Sequence, residues 1–267
     1  MLSLISPTAA LADNFESNGV NIHYVVDGEG PPVILIHGLY ASAYTNWQLP
    51  GIMRNLAKHY RVVAFDLRGH GASGKPEEEA QYGVEMAKDV ARLLDYLHIE
   101  KARIVGYSLG GMVALKFVSL YPQRTTTAVL GGMGWLREGS PIQKVWQNMG
   151  DQQRDAGNTR VAGVPPACLS AVAQLALSQE EVERINVPVT MIVGDSDPCR
   201  FLYAQPLHRL RKDWPIVLVQ GAGHMNCVIQ PAFQRDLEDA LRAKTILPEA
   251  SMHGGSADKN TDTPATN

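Results

Sequence analysis

The feature that most constrains this chain is a rhythm in which short apolar runs alternate with longer segments whose apolar residues recur at helical spacing. Val33-Ile34-Leu35-Ile36, introduced by Pro31-Pro32, is the first run; Arg61 to Phe65, Ile104-Val105, Thr126 to Leu130, Val189 to Val193 and Ile216 to Val219 follow. Runs this short and apolar read as strands buried on both faces. Helical spacing occupies Trp47 to His59, Val84 to Leu97, Leu109 to Tyr121 and Pro231 to Ala243, and a short hairpin over Phe15 to Val26 precedes the rhythm. The alternation predicts an α/β fold, a mostly parallel central sheet with helices on both faces. Catalytic groups are then expected at the carboxyl ends of the strands.

One segment breaks the rhythm. Residues 133–184 hold no buried strand but contain Trp135, Trp146, Pro165-Pro166, a helical stretch from Ala167 to Leu177, and Ser178 with Glu181, a pair that reads as a capping box. This is expected to be a small helical cap inserted into one core formed by residues 13–132 and 185–247. With 267 residues, 45% hydrophobic, the chain has apolar material enough for one sizeable core. Residues 248–267 are too polar to fold and read as a disordered tail. Residues 1–12 read as a disordered end or the remnant of an export signal, because Ala10-Leu11-Ala12 is like a small-residue cleavage site. That would place the protein in a periplasm or outside the cell, and otherwise it is cytoplasmic. A net charge of -3 with no basic cluster argues against nucleic acid and anionic membranes, and no apolar run approaches a membrane span.

Gly106-Tyr107-Ser108-Leu109-Gly110 lies between an expected strand and an expected helix. A serine on such a turn projects its hydroxyl clear of the sheet, and the helix behind it aims free N–H groups at developing negative charge. A serine hydroxyl needs a base, and His224 in Gly221-Ala222-Gly223-His224-Met225, directly after a late strand, is the best placed of eight histidines. His37 and His70 read as structural, and His23 as a surface residue. The acid that orients the base is expected in Val193-Gly194-Asp195-Ser196-Asp197-Pro198, where spacing leaves Asp195 and Asp197 both open. The backbone N–H groups of Leu39 and Leu109 are the candidate oxyanion donors.

Taken together, His37-Gly38-Leu39, the stretch from Asp66 to Ser73, the Ser108 turn, and Gly194 to Asp197 with Gly223-His224 resemble the α/β-hydrolase superfamily, in its serine-nucleophile branch with a small helical cap. The resemblance covers roughly Gly19 to Ala243 and implies a triad of Ser108, Asp197 and His224, because the family's acid usually lies three residues after that glycine. It implies no metal and no cofactor. Serine at the turn argues against the dehalogenases and epoxide hydrolases of the family, which carry aspartate there. The short stretch Leu39-Tyr40-Ala41-Ser42 argues against carbon–carbon bond hydrolases. The expected partner is a small-molecule ester, with a lactonase, amidase or perhydrolase as alternatives and a small-ligand receptor of little turnover as the reading from another class. Tyr40, Tyr107 and Trp135 are candidate pocket walls, with Trp146 beside them. Asp66 and Arg68 are expected in a structural ion pair or loop network. If the triad forms, Cys199 and Cys227 come near enough either to bridge the acid and histidine loops or to remain two buried thiols.

Overall fold

The structure, a computed structural model, describes residues 11–242. Its strands are β1 (Leu11–Ser17), β2 (Val20–Asp27), β3 (Pro32–Ile36), β4 (Arg61–Phe65), β5 (Ala102–Tyr107), β6 (Thr125–Gly131), β7 (Val189–Gly194) and β8 (Ile216–Val219). Its helices are α1 (Ile52–Leu56), α2 (Val84–Tyr96), α3 (Leu109–Leu120), α4 (Pro141–Asp155), α5 (Pro166–Ala171), α6 (Gln179–Glu183), α7 (Gln205–Leu210) and α8 (Pro231–Arg242). The strands form one sheet in the order β1-β2-β4-β3-β5-β6-β7-β8. The β1/β2 hairpin is antiparallel and β2 pairs antiparallel with β4; every pairing from β4 to β8 is parallel. Each apolar run in the sequence is thus a strand, and the expected α/β fold is the one found.

Alternation along the strands sorts the core into two layers. Ile34, Ile36, Phe65 and Ile104 pack with α2, α3 and α7, whereas Val33, Leu35, Val62 and Val105 pack with α1 and α8 on the other face. Residues 33–36 have no exposed surface at all, which is why β3 carries no polar side chain. Burying each of them stabilises the fold by about 2 kcal/mol.

Between β6 and β7, where the rhythm breaks, the chain is helical. Ser178 and Glu181 make the capping box at α6 that the sequence predicts. Helix α4 is an addition to the sequence reading: Ser140 caps it by accepting from the Gln143 N–H, and Pro141 stands at its first turn. Leu11 and Ala12 pair with Val26 and Val25, so β1 claims the last two residues of the segment read as an end. The rest of that segment and the polar tail lie outside the described residues. Among the described residues, no helix is long and apolar enough to cross a membrane.

Candidate active site

Three loops at the carboxyl edge of the sheet converge. The first joins β5 to α3, where Ser108 sits at φ 53° and ψ -118°, a left-handed backbone that an L residue adopts only when its surroundings enforce it. Here they do. The Ser108 N–H donates to the Gly131 carbonyl at 2.8 Å, and neither flanking glycine has room for a Cβ. One on Gly106 would overlap the Gly110 backbone, and one on Gly110 the carbonyls of Ile36 and His37. The serine side chain is thereby pushed out ahead of the sheet.

The second and third loops follow β8 and β7. Ser108 Oγ lies 2.8 Å from His224 Nε2, and His224 Nδ1 lies 2.8 Å from Asp197 Oδ2. A carboxylate can only accept, so Nδ1 carries the ring proton and Nε2 offers its lone pair to the serine hydroxyl. Asp197 is fully buried, and its other oxygen accepts from the Cys199 N–H at 2.8 Å. Asp195, equally open on spacing, takes a different part: it accepts from the N–H groups of Gly221 and Ala222 at 3.1 and 3.2 Å, bracing the loop that carries His224. The Gly221 N–H in particular holds the Asp195 carboxyl below the usual carboxylate range. The Tyr107 hydroxyl donates to the His224 carbonyl, tying base and turn together directly.

A cavity of about 210 Å³ opens over this relay, walled by Leu39, Asn46, Tyr107, Met225, Val228 and Ile229 among others. The Leu39 and Leu109 N–H groups, the first beside the cavity and the second at the start of α3, donate to no acceptor among the described residues. Of the three expected pocket residues, Tyr107 alone lines it. Tyr40 instead faces an adjoining cavity of about 260 Å³ shared with Ser42, His70 and Lys75. Trp135 is buried with its indole N–H donated to the Leu177 carbonyl, and it borders a separate cavity against Leu202 and Tyr203. Trp146 donates to the Tyr203 hydroxyl at 3.1 Å. Sequence reasoning missed Asn46, whose Oδ1 accepts from the Gly38 N–H at 2.9 Å and so fixes the turn that presents Leu39; no motif marks it.

Next to this open site lies a closed one. Asp66 accepts from the Ala43 and Ala72 N–H groups at 2.7 and 2.8 Å, and His23, half-buried on β2, adds Nδ1 at 3.1 Å. The carboxylate fills the space where Gly71, at φ 47°, has no side chain. Arg68 pairs with Asp89 and not with Asp66, through contacts of 2.6 and 2.7 Å between side chains with no exposed surface. His37 donates from Nδ1 to the Gly38 carbonyl and accepts the Leu67 N–H at Nε2, and burial keeps it neutral by pushing its pKa down. Burial, with His37 nearby, lowers the His70 pKa to about 3.

All three cysteines are free thiols. Cys199 packs against the core layer containing α2 and α3, Cys227 belongs to the layer with α8, and no bridge joins them. Burial and Asp197 push both thiols up to about 12. Cys199, His224 and Asp197 nevertheless bring a sulfur, a ring nitrogen and a carboxylate oxygen within 4.8 Å of one another.

Comparison with known proteins gives three kinds of match. The family model described as alpha/beta hydrolase fold matches residues 31–171. An uncharacterized protein of Mycobacterium tuberculosis is 39% identical over 118 residues, 44% of this chain and 33% of the relative. The 2-hydroxy-6-oxo-2,4-heptadienoate hydrolase of Pseudomonas putida is 37% identical over 115 residues, 42% of this chain and 40% of the relative. The match thus spans between a third and two fifths of these relatives' own lengths. Among solved structures, the 2-hydroxy-6-oxo-6-phenylhexa-2,4-dienoate hydrolase of a Rhodococcus species superposes with a TM-score of 0.69, covering 88% of this chain and 99% of that one at 22% identity. At that identity the likeness is one of fold.

Proposed function

The chain belongs to the alpha/beta hydrolase fold family, and from that premise we propose that it is a serine hydrolase cleaving a carboxylic ester of a small or medium-sized apolar substrate through an acyl-enzyme. The observation that carries this reading is the unbroken relay from Ser108 Oγ through His224 to buried Asp197, each link 2.8 Å, at the mouth of a cavity with mainly apolar walls. In the first half-reaction, Ser108 gives its proton to His224 Nε2 as its oxygen attacks the ester carbonyl. The Leu39 and Leu109 N–H groups receive the oxyanion, and Asp197 stabilises the imidazolium. The imidazolium then protonates the departing alcohol. Water then attacks the acyl carbon as His224 takes its proton, and the imidazolium returns that proton to Ser108 Oγ as the bond to the acyl group breaks and the acid leaves.

The test is labelling with a fluorophosphonate probe and hydrolysis of p-nitrophenyl acetate, butyrate and octanoate, by wild type and by Ser108→Ala. Loss of both together in the variant supports an acyl-enzyme on Ser108, and the chain-length trend measures the cavity. An unlabelled wild type removes the reading and favours a ligand-binding role. A second substrate class, a hydroxy-oxo-dienoate, is favoured by the 37% identity to the Pseudomonas hydrolase. Turnover of such a dienoate in preference to every ester would replace the first reading while keeping its triad.

A further inference from the structure

In the hydrolytic reading the Cys199 thiol does no more than sit against the Asp197 carboxylate. Its Sγ, His224 and Asp197 form the single trio of metal-ligating side chains with donor atoms within 4.8 Å of one another among the described residues. Asp197 is buried, whereas Cys199 and His224 are part-exposed, so a small cation can approach from the thiol and imidazole side. Tetrahedral zinc takes thiolate sulfur at about 2.3 Å and nitrogen or oxygen at about 2.0 Å, which sets ligand atoms roughly 3.5 Å apart. Closing the trio therefore takes a movement of about an ångström. A rotation of the Cys199 side chain supplies part of it, and the His224 loop, which turns through Gly221 at φ 69°, the rest. Thiolate, imidazole and carboxylate together favour zinc over magnesium or calcium, whose ligands are all oxygen.

We infer that Asp197, Cys199 and His224 form a zinc site whose occupation switches hydrolysis off, an inference that rests on reading His224 as the base. The thiol releases its proton to water on ligation, and thiolate and carboxylate then balance the two charges of the metal. The imidazole ligates through Nδ1, which already faces Asp197 at 2.8 Å. A neutral ring keeps one proton, so that proton moves to Nε2. Nε2 is the atom that accepts from Ser108. Once protonated it is a donor, and the serine has no base. No oxidation occurs, and one proton leaves for each metal bound.

The experiment titrates the protein with zinc chloride while following the p-nitrophenyl ester it turns over best. In parallel it titrates with cobalt(II) while recording near-ultraviolet absorption. Micromolar zinc is expected to abolish hydrolysis, a chelator to restore it, and cobalt to give a thiolate-to-metal charge-transfer band. Cys199→Ser and Cys199→Ala are expected to lose the band and, each measured against its own metal-free rate, to need on the order of tenfold more zinc or higher for the same inhibition. Cys227→Ser should match wild type in both. Equal zinc sensitivity in wild type and the Cys199 variants, or a wild type without the cobalt band, overturns the site. A cobalt band in a protein that hydrolyses no ester keeps the metal site and removes the hydrolytic reading. Hydrolysis indifferent to zinc does the reverse.

Discussion

The carboxyl edge of the sheet holds two aspartate–histidine pairs that look alike in a list of contacts and differ in what surrounds them. Asp197 faces His224, and the far side of that ring meets a serine and an open cavity. Asp66 faces His23, and its remaining valences are taken by the backbone of two loops. A carboxylate beside an imidazole is thus no sign of chemistry by itself. In the first pair a lone pair is left pointing at a group that can react, whereas the second has been spent on holding the loops around Ala43 and Ala72. The first should govern rate and the second stability.

The largest effect that could break this contrast is at Asp197. Asp197→Asn is expected to lower kcat for the best ester by about 10⁴-fold, because the amide can donate to Nδ1 and so favours the wrong tautomer. Its thermal midpoint should stay near that of wild type, read by calorimetry on the same sample; a variant that is active but unstable would invert the assignment. Asp66→Ala should do the opposite, leaving the Ala43 and Ala72 N–H groups without their acceptor at a cost of about 2–3 kcal/mol. A midpoint drop of roughly 5–10 °C with kcat within a few-fold is the outcome to look for.

A smaller effect is expected from pH. His70 binds its proton only near pH 3 when folded and near the ordinary histidine value when unfolded. Between those values the unfolded chain holds the extra proton, so the stability this residue contributes is complete above about pH 6.5 and is lost as pH falls toward 3. The slope is about 1.4 kcal/mol per pH unit for one such group, and His37, also lowered by burial, acts in the same direction. Denaturant midpoints across pH 4–7 should fall less steeply in His70→Gln, and an unchanged slope would count against a neutral His70. The smallest change is expected for Asp195→Asn, which keeps an oxygen for one of the Gly221 and Ala222 N–H groups and sets an NH2 against the other: a few-fold in kcat, measured beside Asp197→Asn, would separate the bracing carboxylate from the orienting one.

The strands were legible because a parallel sheet covered on both faces leaves its strands no polar choice, and β3 shows this at its plainest. The serine turn was legible because strain confines the residues beside it. Helix α4 was less legible: its apolar residues Ile142, Val145, Trp146 and Met149 stand at helical spacing, but they are few among polar ones and Val145 is exposed, so Ser140 and Pro141 at its start are the plainer signals. Asp195 and Asp197 stand two residues apart in one loop, and only the three-dimensional path of the loop decides which meets an imidazole and which meets backbone. The cavity walls were hidden for a related reason: they come from the loop after β3, the serine turn and the stretch after His224, which the sheet order brings together and no local pattern connects. The cysteines of the two adjoining loops likewise pack into different core layers.

From β5 onward the sheet grows in chain order toward its β8 edge, and this fixes when a ribosome could deliver a working site. Ser108 precedes His224 by 116 residues, a stretch that takes roughly 6–25 s to synthesise at ordinary translation rates. Throughout that interval the nascent chain has Ser108 but not His224, and on the proposed mechanism a fragment released early would be inert. The topology completes the relay only after β8 has been laid down.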